Sequence, residues 1–570
     1  MIRSPFLCGA ALAAFAPALP AQTVLQNLDG PSGFGAGVRT LGDLDGDGLP
    51  ELAVGDPDPF SQGTGGRVVV FRGGSNLPLY TVLEATPQSG FGSALGRTGD
   101  LDGDGLPELL VGATGDPQNP NAPSSATVHS GATGTLLATL PGAPGSRYGA
   151  AVIGLADVNG DGVPDYAIGA PADSSVLASA GRVEIRSGAN HGLLRTLAGS
   201  QVDERFGAAL ATLPDQDGDG APELLVGAPG VNRVVLHSGA TGAVLRTFTG
   251  PTQTRGFGAA VDGVDDLDGD GLVDVVIGSP EEPSSFGSNG GAVRVYSNAT
   301  TLLIHERLGG FTNDFHGSSV RGVPDLDNDG VRDYLAGGTM SGSSAFIAAG
   351  FVEGFSGATG EHLFWVNGTG SGALMGFSCD SAGDFDGNGL QDIAAGAPGF
   401  GSVVVAQAED TVGDPYCFGD AAGLGCPCGN DNDGSTAGGQ AGCANSVSAG
   451  GAQLLAAGSI SATSGTLRLF AHGAVPNSPG LYFQGTTRVN GGQGSLFGDG
   501  LRCAGGPVKR LEVVVSDAAG LSSSTVDVAS VGGVQPGDVR DYQLWFRDSQ
   551  LSPCGTSFNL TNGLEIQWLP

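Results

Sequence analysis

Residues 43–55 read Asp43-Leu44-Asp45-Gly46-Asp47-Gly48-Leu49-Pro50-Glu51-Leu52-Ala53-Val54-Gly55, an acidic turn that runs straight into an apolar strand. Carboxylates stand at positions 1, 3 and 5 of the turn, glycine at 6 closes it, and a further acid follows at 9. The nine-residue pattern Asp-x-Asp/Asn-Gly/Asn-Asp/Asn-Gly-x-x-Asp/Glu begins again at Asp100, Asp157, Asp215, Asp266, Asp325 and Asp384, at spacings of 57, 57, 58, 51, 59 and 59 residues. A period this regular marks a repeat architecture.

Hard oxygen donors at this spacing suit Ca2+, which takes roughly 6–8 oxygens at about 2.3–2.6 Å. The candidate ligands at position 1 are Asp43, Asp100, Asp157, Asp215, Asp266, Asp325 and Asp384, and at position 3 Asp45, Asp102, Asn159, Asp217, Asp268, Asp327 and Asp386. Position 5 supplies Asp47, Asp104, Asp161, Asp219, Asp270, Asp329 and Asn388; position 9 supplies Glu51, Glu108, Asp165, Glu223, Asp274, Asp333 and Asp392. At position 7 the donor is a backbone carbonyl, from Leu49, Leu106, Val163, Ala221, Leu272, Val331 and Leu390. Up to seven Ca2+ ions are therefore expected.

An EF-hand loop opens in the same way but needs an acid at position 12 and a helix on each side. Position 12 here is Val54, Val111, Ile168, Val226, Ile277, Ala336 and Ala395, and each short strand ends at a glycine, Gly55 in the first repeat and Gly396 in the last. The loops belong to β-hairpins.

Aligned on the first Asp, the repeats share an upstream glycine, Gly35, Gly92, Gly149, Gly207, Gly258, Gly317 and Gly376, each preceded by a bulky side chain: Phe34, Phe91, Tyr148, Phe206, Phe257, His316 or Met375. Val38, Leu95, Val152, Leu210, Val261, Val320 and Cys379 share a second packing slot. Each period reads as four strands, with a Ser-Gly-Ala-Thr-Gly turn before the fourth at Ser130, Ser238 and Ser356. Seven such units predict an all-β fold whose main body is a seven-bladed β-propeller with Ca2+-binding hairpin loops. The last repeat lacks a fourth strand after Val403–Gln407, and Thr23–Leu28 resembles the missing one, so the N-terminus is expected to complete that blade.

Phe-Gly, then the acidic loop, then Gly-Ala-Pro at Gly169, Gly227 and Gly396 resembles the FG-GAP repeat of integrin α-subunit β-propellers over about residues 22–410. Two departures stand out. Seven acidic loops exceed the number usual in an integrin propeller, and Glu51, Glu108 and Glu223 occupy a position that is usually Asp. The resemblance implies an extracellular interaction, adhesion or scaffold protein, with an unidentified protein or polysaccharide as partner.

The N-terminus, a basic Met1-Ile2-Arg3, an apolar run Phe6 to Leu19 and then Pro20-Ala21-Gln22, reads as a signal peptide over 1–21. No later apolar stretch is long enough to span a bilayer, so a secreted or cell-surface location without membrane insertion is expected. Net charge is −34, and 26 of the 58 acids lie in the seven loops. Seven Ca2+ would bring the total only to about −20, which argues against nucleic acid as a partner.

Composition changes near Asp414. Cys417, Cys426, Cys428, Cys443, Cys503 and Cys554 form an even set in an exported chain and predict three disulfides of open connectivity. Residues 22–412 are thus read as the propeller, 413–445 as a cysteine-rich linker and 446–570 as a small β-sandwich-like domain, with strands near Leu467–Ala471, Leu511–Val515 and Tyr542–Phe546.

An identical site in every repeat serves fold stability rather than catalysis, so the loops read as fasteners. The alternative is an extracellular polysaccharide- or phosphodiester-processing enzyme built on the propeller, but no nucleophile elbow, HExxH or paired-acid signature supports it. His316 and Cys379 fall in packing slots, and are read as a packed ring and a buried free thiol. Loops of variable length, Asp56–Gly65, Thr114–Ser124, Ser279–Gly290 and Thr339–Gly350, lie opposite the acidic loops and are where recognition is expected. Arg147, Arg205 and Arg255 recur on that side and are expected to pair with nearby acids such as Asp203 and Glu204.

Overall fold

A computed structural model describes residues 24–57, 65–87, 89–115, 119, 122–251, 255–283, 288–310, 312–327, 329–340, 348–408, 412–419, 425–432, 441–457, 460–462, 467–517, 520–548 and 553–569. The expected signal peptide falls outside this set, as do residues 58–64, 116–118, 120–121, 284–287 and 341–347 of the four variable loops.

Repeats become sheets one for one. The first sheet pairs Gly37–Gly42, Glu51–Asp56, Gly65–Phe71 and Pro78–Pro87 in sequence order, every pair antiparallel, and six further four-stranded sheets follow. The last of them, Ser378–Gly383, Asp392–Ala397 and Ser402–Gln407, takes its fourth strand from the other end of the chain: Val24–Asp29 lies antiparallel to Ser402–Gln407. The first strands of successive sheets contact one another in order, and Ser378–Gly383 contacts Gly37–Gly42, so the sheets close into a propeller ring.

Glycine spacing explains how the sheets meet. A Cβ on Gly55 would sit 1.9 Å from the carbonyl oxygen of Gly92 in the next sheet, and the pairs Gly112 with Gly149 and Gly169 with Gly207 repeat this at 1.9 and 2.1 Å. The series ends with Gly396 against Gly35, also 2.1 Å, across the closure. Only a residue without a side chain allows this backbone approach. The two glycines of the repeat are therefore inter-sheet contact points. The ring side chains beside them fill the space between sheets: Phe34, Phe91, Tyr148, Phe206 and Phe257 are all fully buried. In the second slot Leu210 is only partly buried, while the other six residues are buried.

His316 packs on Phe351 and Phe355, and burial pushes its imidazole down to about 3, a neutral ring in a packing slot. Cys379 is a free, buried cysteine whose thiol burial pushes up to about 12.

After the ring, Asp414–Tyr416, Gly563–Gln567, Val539–Arg547, Pro479–Gly485 and Lys509–Val515 form a sheet in that order, with Phe558–Leu560 added to Val539–Arg547. A smaller sheet of Gln453–Ala457, Arg468–His472 and Ser522–Ser523 shares a core with it that includes Leu454, Leu469, Tyr482, Tyr542, Leu544 and Trp568. Two disulfides, Cys417–Cys503 and Cys428–Cys554, tie the 413–445 segment to the rest of the C-terminal region, and a third, Cys426–Cys443, closes a loop within the segment itself. The only α-helix among the described residues is Val528–Gly532.

Candidate metal centres

The acidic loops fold around their own backbone. In the first, Asp43 Oδ1 and Oδ2 accept the amides of Gly46 and Gly48 at 2.7 and 3.0 Å, and both glycines have the left-handed φ (80° and 93°) that this tight wrap requires. Asp47 accepts the amide of Leu49 at 2.9 Å, which turns the position-7 carbonyl. The position-5 bond recurs in all the other loops, from Leu106 to Asp104, Val163 to Asp161, Ala221 to Asp219, Leu272 to Asp270, Val331 to Asp329 and Leu390 to Asn388. These turns hold the side chains in place before any ligand arrives.

Position 9 is of a different kind. Glu51, Glu108, Asp165, Glu223, Asp274, Asp333 and Asp392 are each 0% exposed, at the start of the second strand or just before it. Each accepts the amide of its own loop's position 2, from Leu44, Leu101, Val158, Gln216, Leu267, Leu326 and Phe385. Positions 1, 3 and 9 converge: ligand oxygens of Asp43, Asp45 and Glu51 lie within 4.8 Å of one another, as do those of Asp215, Asp217 and Glu223 and of Asp266, Asp268 and Asp274. Six such acidic groups occur among the described residues. In the second loop Asp104 joins Asp100, Asp102 and Glu108.

Burial, with acidic neighbours adding to it, pushes the Glu108 and Glu223 carboxyls up to about 7, Asp274 to about 6, Asp333 to about 8 and Asp392 to about 9. Asp157 and Asp215 go the other way, held below the ordinary range first by the amides of Gly162 and Gly220. Buried oxygens of Glu108, Glu223, Asp384 and Asp392 have no hydrogen-bond partner. Clustered, buried and under-satisfied carboxylates are the environment a divalent cation relieves, so the donor set fits one.

The turns before the fourth strands take part. Ser238 Oγ donates to Asp219 Oδ2 at 3.0 Å, and Ser187 to Asp161 at 3.3 Å, with Ser297 on Asp270 and Ser356 on Asp329 at 3.5 Å. Sequence reading treated this serine only as a turn residue. The signal was its recurrence as the first residue of the turn, at Ser187, Ser238, Ser297 and Ser356. Arg72 adds an ion pair to Asp45 at 2.6 Å. The seventh loop is roofed by the C-terminal region, because Leu390 is buried in a cluster with Ala457 and Phe470.

The expected pairing of the three arginines is not found. Arg147, Arg205 and Arg255 are exposed and form no ion pair among the described residues, while Glu204 is held by Arg233 instead. Nor do the three share a register. Arg147 and Arg205 occupy the left-handed position (φ 56° and 58°) that Gly33 and Gly90 fill elsewhere, whereas Gly256 takes it in the fifth repeat and leaves Arg255 one residue earlier.

The FG-GAP-like repeat family matches residues 43–111 and 100–168, and the FG-GAP repeat family matches residues 257–296 and 380–411. Integrin alpha-PS2 of Drosophila melanogaster is 31% identical over 224 residues, 34% of this chain and 15% of that protein. Integrin alpha-4 of Xenopus laevis is 36% identical over 151 residues, covering 24% and 14%, and integrin alpha-7 of Homo sapiens 34% over 175 residues, covering 28% and 14%. The chain thus matches about one seventh of the length of these relatives.

Proposed function

Because the chain is an FG-GAP repeat protein resembling the integrin α N-terminal propeller, we propose that it is a secreted, calcium-binding interaction or adhesion scaffold. Ca2+ occupies up to seven loops, through positions 1, 3, 5, 7 and 9, and locks each hairpin. The observation that carries this is the fully buried acid at position 9 in every loop, each beside further carboxylates. Two roles separate on the ring: the loop face holds ions, and the opposite face, with the variable loops, contacts an extracellular protein or polysaccharide.

Three disulfides favour an oxidising compartment. The same reading includes removal of residues 1–21 on export, a propeller over 22–412, a cysteine-rich segment over 413–445 and a β-rich domain over 446–570. It assigns no catalytic step, and these three relatives, integrin α subunits, lend no support to the enzyme alternative.

The test is a binding array of extracellular proteins and polysaccharides, run with and without Ca2+, alongside metal analysis of the purified chain. Calcium near seven ions per chain, with a partner retained only when Ca2+ is present, supports the reading. A chain that takes up no Ca2+ at millimolar concentrations refutes it.

A further inference from the structure

On the ring axis, where the first strands run into the acidic loops, lies a cavity of about 520 Å3 to which all seven first strands contribute. Its wall is unlike the rest of the molecule. On a chain with 58 acids and 24 bases, four arginines, Arg39, Arg97, Arg321 and Arg332, face two acids there, Asp262 and Asp380.

Both acids are already satisfied. Arg321 bridges them, with Nε 2.7 Å from Asp380 and a terminal nitrogen 3.4 Å from Asp262. Backbone amides complete the set: Thr40 donates to Asp380 at 3.0 Å, and Gly263 and Gly322 donate to Asp262 at 2.9 and 3.0 Å. Arg39 donates to the Leu95 carbonyl at 3.3 Å and lies 3.8 Å from Asp380.

That leaves Arg97 and Arg332, both exposed and neither in an ion pair among the described residues; Arg332 Nε donates to the Val323 carbonyl at 3.4 Å. Arg332 sits at position 8 of the sixth acidic loop, so the loop that gathers Asp325, Asp327 and Asp333 also sets where this guanidinium stands.

We propose that this axial cavity binds a small organic anion of about the size of one acidic sugar, whose oxyanion is gripped by Arg97 and Arg332. Guanidinium forks suit carboxylate and sulfate groups in bidentate geometry. The volume lies within the roughly 300–1,000 Å3 of small-ligand pockets. Thr212 also lines the wall, its hydroxyl donating to the Gly154 carbonyl at 3.0 Å. The site is separate from the variable-loop face, and it rests on the Ca2+ reading to one extent: each filled loop gains two positive charges, which weakens the negative field around this mouth.

The experiment titrates the full-length protein at saturating Ca2+, by calorimetry, with sodium D-glucuronate, glucose 6-sulfate and neutral D-glucose. Binding of either anion but not of glucose is expected, and the preferred anion distinguishes carboxylate from sulfate. Arg97→Gln and Arg332→Gln should each weaken it about tenfold or more, which is about 1.4 kcal/mol. The melting temperature of Arg97→Gln without anion should match the parent's, and that of Arg332→Gln should fall only slightly, because neither residue holds an ion pair among the described residues and Arg332 gives up one long bond to the Val323 carbonyl. No anion binding, glucose binding as well as glucuronate, or variants that bind like the parent would each overturn the proposal. Calcium is assayed on the same samples, so a chain that holds its Ca2+ and ignores both anions sinks this inference alone.

Discussion

Gly169→Ala puts the ring's assembly rule to a direct test. Its backbone is not left-handed, so alanine is conformationally acceptable there and only space opposes it. The added Cβ would lie 2.1 Å from the Gly207 carbonyl oxygen and 3.1 Å from its carbon. Relief requires the neighbouring backbone to retreat by about 1 Å, and packed interiors resist such shifts at about 1–3 kcal/mol or more. Gly207 has little room to move: its amide donates to Gly227 O at 3.0 Å, and its own Cα faces the Arg182 carbonyl, which a Cβ there would meet at 2.7 Å. Against a total stability of about 5–15 kcal/mol, the loss is large. The assay is thermal melting at saturating Ca2+ joined to amide hydrogen exchange. Melting should fall by several degrees, and exchange should rise first in Tyr166–Ala170 and Ala209–Leu213, the strands on either side of the contact. Gly310→Ala is the control, since its Cβ meets nothing nearer than Asp314 Oδ2 at 3.9 Å. If Gly169→Ala melts with the parent, or Gly310→Ala falls as far, the glycine contact is not what fixes the spacing of the sheets.

Chelation should lower the melting temperature substantially and added Ca2+ restore it, by about 2.7 kcal/mol per site at a hundredfold excess over Kd; a melt indifferent to EDTA counts against filled sites. Asp217→Ala should speed exchange within the fourth sheet alone and leave binding at the variable-loop face intact; loss of that binding with the fold preserved contradicts the division of roles. Glu353, 1% exposed, is raised by burial to about 8, above its ordinary 4.5, so its contribution is complete below the ordinary value and is lost as pH rises through about 8. Glu353→Gln keeps the neutral form, and its melting temperature relative to the parent should climb between about pH 6 and pH 9; a difference that stays flat over that range refutes the assignment.

Most of the ring was legible because its signals are chemical and periodic. The acidic turn has few other uses, and the strand near Thr23–Leu28 could be matched to a gap four hundred residues away because fourth strands share a pattern; it forms as Val24–Asp29. The strands expected near Leu467, Leu511 and Tyr542 appear as Arg468–His472, Lys509–Val515 and Val539–Arg547. Relations between repeats were harder to see. Gly55 and Gly92 were visible as slots, but not as partners, because their contact joins two sheets rather than two neighbours in a pattern. Disulfide connectivity was closed to inspection for a related reason: six cysteines allow fifteen pairings, and only the packed sheets choose among them. Arg205 failed most instructively, since two adjacent acids invited a pairing that does not form: Arg205 stands on a left-handed backbone and Glu204 is taken by Arg233.

The join between Val24–Asp29 and Ser402–Gln407 has a consequence for synthesis. Val24–Asp29 is made long before the strand that claims it, so the polypeptide must carry an unfinished rim until Ser402–Gln407 has been synthesised. Any processing enzyme that trims the amino end too far would strip Leu28 from its seat against Val403 and Val405 and leave those valines bare. A truncated chain beginning at Gly30 should then borrow the missing ribbon from a second molecule or precipitate.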